Sequence, residues 1–239
     1  MHMTDGARTR PHRLILVLAA IAAVIIGIHV ASLIAMYGFG RDNLYGITFL
    51  FDVDEENNVP AVFSLCMLLI AAILLAMIAR RQKPGQLPSA GRWAGLSVVF
   101  FYLAADEFFS LHERLARVTA QLMGGGVVAH YAWLVPYAIA GLAFLALYAR
   151  FLRQLDRDTR KRFLIAAAIY VGGAFGTEIF AALYVYVNGP GETLGYDMLS
   201  GLEETLEMTG IIFFIHALVV YLEKNSAPMP EHRGAVVTT

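Results

Sequence analysis

SGLEETLEMTGIIFF, residues 200–214, combines a cluster of carboxylates with the start of a long apolar helix. At about 100° per residue, Glu203 and Glu207 fall on one helical face, together with Ser200 before them and Gly210 after them. A carboxylate at bilayer depth is costly, so it normally faces a protein interior, a water-filled cavity or a metal ion. This stretch therefore predicts a membrane helix that carries an acidic site.

The composition indicates a polytopic membrane protein. Hydrophobic residues make up 58% of the 239 residues and charged residues 15%, whereas an average soluble domain has about a quarter charged residues. Cys66 is the only cysteine, which excludes an intrachain disulfide and a thiolate metal cluster. The first apolar run is long and lacks a small-residue cleavage site, so we expect a retained helix rather than a signal peptide.

Six apolar runs are long enough to cross a bilayer, which takes about 20 residues. They are Leu14–Tyr37, Pro60–Ile78, Trp93–Leu111, Val128–Phe151, Phe163–Val187 and Met198–Leu222. We therefore predict an all-α integral membrane protein whose residues 13–223 form a six-transmembrane-helix bundle. Residues 1–12 and 224–239 are predicted to be short, mobile cytoplasmic tails.

The distribution of Lys and Arg predicts the orientation of the bundle. Fifteen of the 18 lie at one set of helix ends, and only Arg41, Arg114 and Arg117 lie at the other. Because cytoplasmic loops are enriched in Lys and Arg, both termini should be cytoplasmic. Residues 38–59, 112–127 and 188–197 then face the periplasm or the cell exterior.

The acidic residues of the spans gather in the outward half of the predicted bundle. Glu178 and Glu207 are each about nine residues from the outer ends of the fifth and sixth spans, and hence about 13 Å deep. The short loop 188–197 favours an antiparallel pair of neighbouring helices, so these two carboxylates should meet. The small residues Gly172 and Gly176 near Glu178 are typical of close helix packing.

The third span adds a further group of polar residues near its outer end. As one continuous helix, it places Asp106 and Glu107 about 100° apart and turns His112 to another side. We expect Asp106 or Glu107 to enter the cavity of Glu207, with His112 at its rim. The alternative is that these acids pair with arginines as the helix leaves the membrane, and for Glu113 a pair with Arg117 is the favoured interpretation.

Two other kinds of site have to be weighed. Histidines occur in or beside four spans, at His29, His112, His130 and His216. A b-type haem needs facing histidine pairs, and no matched pairs are evident.

The run FDVDEENNVP, residues 51–60, carries six acid or amide side chains. Such a loop suits Ca²⁺, although a solvated helix start with acids favoured by the helix dipole explains it equally well.

The acidic run before Ser64, with an acid and histidines in later helices, resembles the alkaline-ceramidase type of intramembrane metal hydrolase. That resemblance implies a Zn²⁺ ion held by histidines and an acid, with a helical His-xxx-His pair. The sequence departs from the pattern at this pair, because Ile212 and Val220 flank His216 and Leu68 follows Ser64.

The leading hypothesis is a divalent-metal-dependent enzyme that acts on a lipid-like or membrane-accessible substrate. The predicted metal ligands are Glu178, Glu203, Glu207 and Asp106, and the predicted catalytic residues are Asp106, Glu107 and His112. Several carboxylates at one depth repel each other, and a metal ion, an arginine or protons can offset that repulsion. The bound ion would be Zn, Fe, Mn or Ca, and it would supply a Lewis acid or an activated water.

Two other classes of function stay open. A proton- or cation-coupled small transporter would use the same carboxylates, with Gly172 and Gly173 as a hinge. A non-catalytic membrane subunit would use them to bind a partner helix or a second copy of the chain. We expect a multi-pass protein of the bacterial inner (plasma) membrane that contacts membrane lipids. Nucleic-acid binding has no support, because the basic loops are explained by topology.

The orientation is tested by labelling single cysteines in a Cys66→Ala background. Asn57→Cys and Gly191→Cys are expected to react with a membrane-impermeant thiol reagent in intact cells, because both positions lie in predicted outer loops. Labelling that requires cell lysis would reverse the predicted orientation.

Overall fold

A computed structural model describes residues 5–41, 46–55, 57–126, 129, 131–189, 191 and 193–226, and this part of the chain is helical with connecting loops. Its elements are α1 (Asp5–Leu33), a π-helical turn (Ile34–Gly38), α2 (Ile47–Leu50), α3 (Val59–Arg81), α4 (Ala90–Phe109), α5 (Leu111–Leu122), a 3₁₀ turn (Tyr131–Trp133), α6 (Leu134–Gln154), α7 (Arg157–Val171), a π-helical segment (Gly172–Thr177), α8 (Glu178–Asn188) and α9 (Leu194–Ser226).

Five helices within the described residues are long and apolar enough to cross a membrane. They are His12–Gly38, Val59–Arg81, Tyr131–Gln154, Arg157–Asn188 and Leu194–Asn225. Helices α4 and α5 give a sixth span if they are counted together, although they are bent by 66° relative to each other. The all-helical architecture with five or six bilayer-length helices is therefore confirmed, while the side of the membrane on which the termini lie stays a prediction.

Two predicted boundaries differ from the structure. Helix α1 begins at Asp5, inside the segment predicted to be a mobile tail. The third span ends at Phe109 rather than running on to Leu111, because Ser110 has φ 50° and ψ 49° and starts a new helix direction. Predictions for Glu56, His130, Arg233, residues 1–4 of the first tail and most of the second tail fall outside the described residues.

Capping residues explain where α3 and α7 begin. The Asn58 side chain accepts a hydrogen bond from the Ala61 N–H, and Pro60 occupies the first turn of α3, both of which favour a helix start. At α7, Asp156 accepts hydrogen bonds from the Thr159 amide and hydroxyl and lies 3.2 Å from Lys224 Nζ. Burial alone would raise the pKa of Asp156, but these hydrogen bonds and the Lys224 charge outweigh it and lower the pKa.

Helix α9 is the centre of the bundle. It packs against α1, α3, α7, α8 and the π-helical segment. Of its most apolar 18-residue stretch, 56% is buried, compared with 6% of the corresponding stretch in the span that contains α6. An aromatic cluster fills the core toward the predicted cytoplasmic side, where the Trp93 ring lies 4.9 Å from Phe151 and 4.8 Å from Tyr221. The carboxylates of α9 therefore project from the most enclosed helix.

Gly210 allows α9 to approach α7 closely. A Cβ atom at this position would lie 2.7 Å from the backbone nitrogen of Tyr170 and 2.9 Å from its Cα. Because these are backbone atoms, a side-chain rotation cannot relieve the clash, and the two helices would have to move apart.

Gly210→Ala is therefore expected to destabilise the fold by about 1–3 kcal/mol, the usual cost of overpacking. Gly141→Ala in α6 is the matched control, because a Cβ atom there meets nothing within 4 Å. Replacing a helical glycine without a clash stabilises by about 0.5–1 kcal/mol. Melting temperatures in detergent should move in opposite directions, and a wild-type value for Gly210→Ala would contradict the close approach.

Candidate functional site

A cavity of about 400 Å³ opens at the end of the bundle that the charge distribution predicts to face outward. Half of its lining residues are acidic, and these are Asp54, Glu55, Glu107, Glu113, Glu178, Glu203, Glu204 and Glu207. Of the predicted site residues, the structure thus brings five to the lining of one cavity: Glu107, His112, Glu178, Glu203 and Glu207. Asp106 is the exception and does not line the cavity.

Helix α9 contributes the largest share of the wall. Glu203, Glu204 and Glu207 follow one another along it, and Ser200 and Tyr196 extend the same wall toward the mouth. The Glu207 side chain lies near the side chain of Tyr170 of α7. The expected polar face of Ser200, Glu203 and Glu207 is present, and the cavity is wide enough for Glu204 to reach it as well.

The π-helical segment Gly172–Thr177 brings the fifth span against these carboxylates. Thr177 donates a hydrogen bond to the Gly173 carbonyl and also contacts Glu203. A Cβ atom at Gly173 would lie 3.0 Å from the Glu203 carbonyl oxygen and 3.2 Å from the Glu207 Cγ atom. Glu178 follows directly after this segment and lines the cavity.

The expectation that Gly172 and Gly176 form the packing face is wrong. A Cβ atom at either position would meet nothing within 4 Å, whereas Gly173 lies against α9. A π-helical turn contains an extra residue, so it shifts the helical phase on which the expectation rested. Such turns occur frequently at functional sites.

The bend at Ser110 overturns the predicted direction of His112. A continuous third helix would have turned His112 away from Asp106, but the left-handed conformation of Ser110 re-aims the chain. The His112 amide donates to Asp106 Oδ1 at 3.0 Å, and His112 Nδ1 lies 3.2 Å from Asp106 Oδ2. His112 therefore lines the cavity while Asp106 contacts it from behind.

The pair predicted between Glu113 and Arg117 is confirmed. Arg117 Nη1 lies 3.7 Å from Glu113 Oε2 on the exposed rim, where both side chains are largely solvent-accessible. Arg117 is the one Lys or Arg residue on the described part of the cavity wall. Arg117 shares the cavity lining with eight acids, and it is paired with one of these, Glu113.

The loop before α3 lines part of the cavity. Ser200 donates a hydrogen bond of 2.6 Å to Asp54, and Asn58 donates to the backbone carbonyl of Asp52. His29 of α1 is buried, with Nδ1 3.8 Å from Asp52 Oδ1. The acids of this loop were predicted to be either a Ca²⁺ loop or a solvated helix start, and the structure makes Asp54 and Glu55 part of the cavity wall.

The carboxylates do not form a preassembled metal centre. Within the described residues, no group of three or more His, Cys, Asp or Glu side chains is arranged to hold a metal ion. Glu178, Glu203 and Glu207 share the cavity without converging on one point. Two aromatic residues also line the cavity, Trp133 beside His112 and Tyr196 on α9. The sequence feature that could have indicated them is the enrichment of Trp and Tyr near membrane interfaces.

An all-helical chain with five or six bilayer-length helices is compatible with a multi-pass membrane protein. Residues 13–222 match a family described as a domain of unknown function, DUF8692. The chain therefore belongs to that family. No curated protein and no solved structure shows significant similarity to it.

Asp54 links the stability of the loop to pH. The surrounding protein removes water from its carboxyl and raises the pKa above 3.8, while the hydrogen bond from Ser200 opposes this shift. A raised pKa means that the folded protein favours the protonated carboxyl. Stability is therefore lost as the pH rises from 3.8 through the elevated pKa.

The side chain in the Asp54→Asn variant cannot ionise. Its melting temperature is therefore expected to fall less than that of the wild-type protein over this pH range. Ser200→Ala removes the opposing hydrogen bond and should make the loss steeper than in wild type. Melting temperatures measured across the range test both variants. Identical pH profiles for wild type and Asp54→Asn would contradict the role of Asp54.

Proposed function

We propose that the acidic cavity binds a divalent cation and that the protein is a metal-dependent enzyme of the bacterial inner membrane, acting on a lipid-like or membrane-accessible substrate. The observation that carries the proposal is the imbalance of charge in the cavity lining, with eight acids and one arginine among the described residues. Both termini would be cytoplasmic, so that the cavity opens outward.

Electrostatic repulsion supports a cation as the occupant. Two unit charges 4 Å apart repel by about 4 kcal/mol at an effective dielectric constant of about 20. Arg117 is paired with Glu113 at the rim, and so it does not neutralise the acids of α8 and α9. A divalent ion or bound protons would relieve the remaining repulsion.

The predicted ligands are Glu178, Glu203 and Glu207, with His112 as a further ligand or proton carrier. Because no three side chains converge in advance, the ion would draw the flexible Glu side chains toward itself. A site with several carboxylate oxygens and one imidazole nitrogen favours Zn, Fe or Mn over Ca, which prefers oxygen ligands alone. The ion would polarise a substrate oxygen or activate a water, with Glu107 available as an acid or base.

The rim of the cavity supports a membrane-accessible substrate. Helix α5 turns Glu113 and Arg117 toward the cavity, whereas Val118 and Leu122 are 49% and 82% exposed. An amphipathic helix of this kind suits the boundary between headgroups and acyl chains. A substrate that reaches the cavity past α5 would come from the membrane surface.

A proton- or cation-coupled transporter is the second candidate, favoured by one observation. The π-helical segment Gly172–Thr177 interrupts the fifth span directly before Glu178, and transporters often bind their coupling ions at such interruptions. Turnover of a substrate by metal-loaded protein would favour the enzyme, and proton-linked flux into liposomes would favour the transporter.

Glu207→Gln and Glu178→Gln are each expected to weaken Zn²⁺ or Mn²⁺ binding by more than about tenfold. Gln keeps the size and hydrogen-bonding capacity of Glu but loses its charge, and even a partner one step removed from a metal is usually worth about 10–100-fold in affinity. Glu223→Gln, at the opposite end of α9, is the matched control and should bind like wild type. Elemental analysis and metal titration of the purified proteins measure the effect.

The melting temperatures of the same variants separate a metal site from a site in which the acids share protons. If the acids share protons instead of a metal ion, both substitutions leave the metal content unchanged and raise the melting temperature by relieving repulsion. Unchanged stoichiometry in both variants would therefore exclude the metal site at these residues.

A further inference from the structure

We infer that Asp106 is a positioning residue that holds the His112 ring so that its Nε2 atom serves the cavity. The inference rests on the proposed function, because it takes His112 as a ligand of the bound cation. It changes the expected role of Asp106, which sequence reasoning had made a direct metal ligand.

Three donors converge on the Asp106 carboxyl group. Its Oδ1 atom accepts from the His112 amide at 3.0 Å and from the Tyr137 hydroxyl at 3.2 Å, and its Oδ2 atom lies 3.2 Å from His112 Nδ1. The Asp106 side chain is only 13% exposed, compared with 30% for His112. Asp106 is thus engaged away from the cavity wall that His112 lines.

A hydrogen bond to an ionised Asp106 requires one tautomer of His112. An ionised carboxylate can only accept hydrogen bonds. With such an acceptor at 3.2 Å, Nδ1 carries the proton and donates the hydrogen bond to Asp106 Oδ2. In a neutral imidazole the other nitrogen, Nε2, then carries the lone pair that a metal ion or a proton needs.

The Tyr137 hydroxyl completes this arrangement from α6. Because it donates to Asp106, it can accept from the Tyr102 hydroxyl, which lies 3.1 Å away. Tyr102 and Tyr137 thereby extend the hydrogen-bond network that holds the carboxyl group. The Trp133 ring, 5.4 Å from the His112 ring, restricts the imidazole further.

A carboxylate behind a histidine is a recurrent support for metal ligands. The carboxylate fixes the tautomer and the ring direction and makes the ligating nitrogen more basic, and its loss typically reduces metal affinity about 10–100-fold. The bend at Ser110 is what makes this contact: it returns His112 to Asp106, six residues earlier in the chain. The cation class implied is one that accepts an imidazole nitrogen, such as Zn²⁺ or Co²⁺.

A double-mutant cycle on Co²⁺ affinity tests the inference. Asp106→Asn should weaken Co²⁺ binding about 10–100-fold. If Asp106 acts through His112, the substitution should have no further effect in a His112→Ala background. Additive losses would show that Asp106 binds the ion itself, which would overturn the inference while leaving the cation site intact.

Tyr137→Phe serves as a matched control, because it removes one donor to Asp106 but retains the contact with His112. It should weaken binding less than Asp106→Asn does. An equal loss in both variants would indicate a general packing effect and would also overturn the inference.

The ¹⁵N spectrum of His112 in metal-free protein gives a readout that does not depend on metal binding. The wild-type protein should show the Nδ1–H tautomer, and Asp106→Asn should shift the population toward Nε2–H. If wild-type protein binds no Co²⁺, the proposed function fails, but this tautomer result still supports the role of Asp106. A wild-type Nε2–H tautomer would overturn it without the need for any variant.

Discussion

The repulsion among carboxylates in a partly enclosed cavity is the constraint on which the described structure depends. Glu203 and Glu207 project from α9, the helix against which α1, α3, α7 and α8 pack. The free-energy cost of burying these carboxylates cannot be avoided by rotating α9, because the other faces of this helix pack against apolar side chains. The surrounding elements therefore have to supply hydrogen bonds, a widened space or a counter-charge at this depth.

Both irregular points next to the cavity serve this constraint. The π-helical segment sets Gly173 against the backbone of α9 and places Glu178 on the wall. The left-handed Ser110 ends α4 and re-aims the chain so that His112 reaches Asp106. Irregular backbone is normally a cost to stability, and its concentration around one cavity indicates that the cavity is what it supports.

The large-scale features could be predicted from the sequence, because each depends on a long pattern. Bilayer-length apolar runs predicted the helices, and the depth of Glu178 and Glu207 predicted their shared cavity. Two of the predictions that failed extrapolated helical phase through an interruption: His112 across Ser110, and the Gly172–Gly176 face across a π-helical turn. A serine in a left-handed conformation leaves no local signal that separates it from an ordinary helical serine, so its position emerges only from tertiary contacts.

The contribution of Asp54 was hidden for a different reason. The hydrogen bond that it accepts from Ser200 joins residues 146 positions apart, a pairing that no local pattern encodes. This contact holds the acidic loop next to the other acids of the cavity. The loop thereby adds acidic side chains to a cavity lining that is already rich in them. Protons or a cation in the cavity, as we propose, would offset this added charge, and the hydrogen bond from Ser200 stabilises the loop in its place.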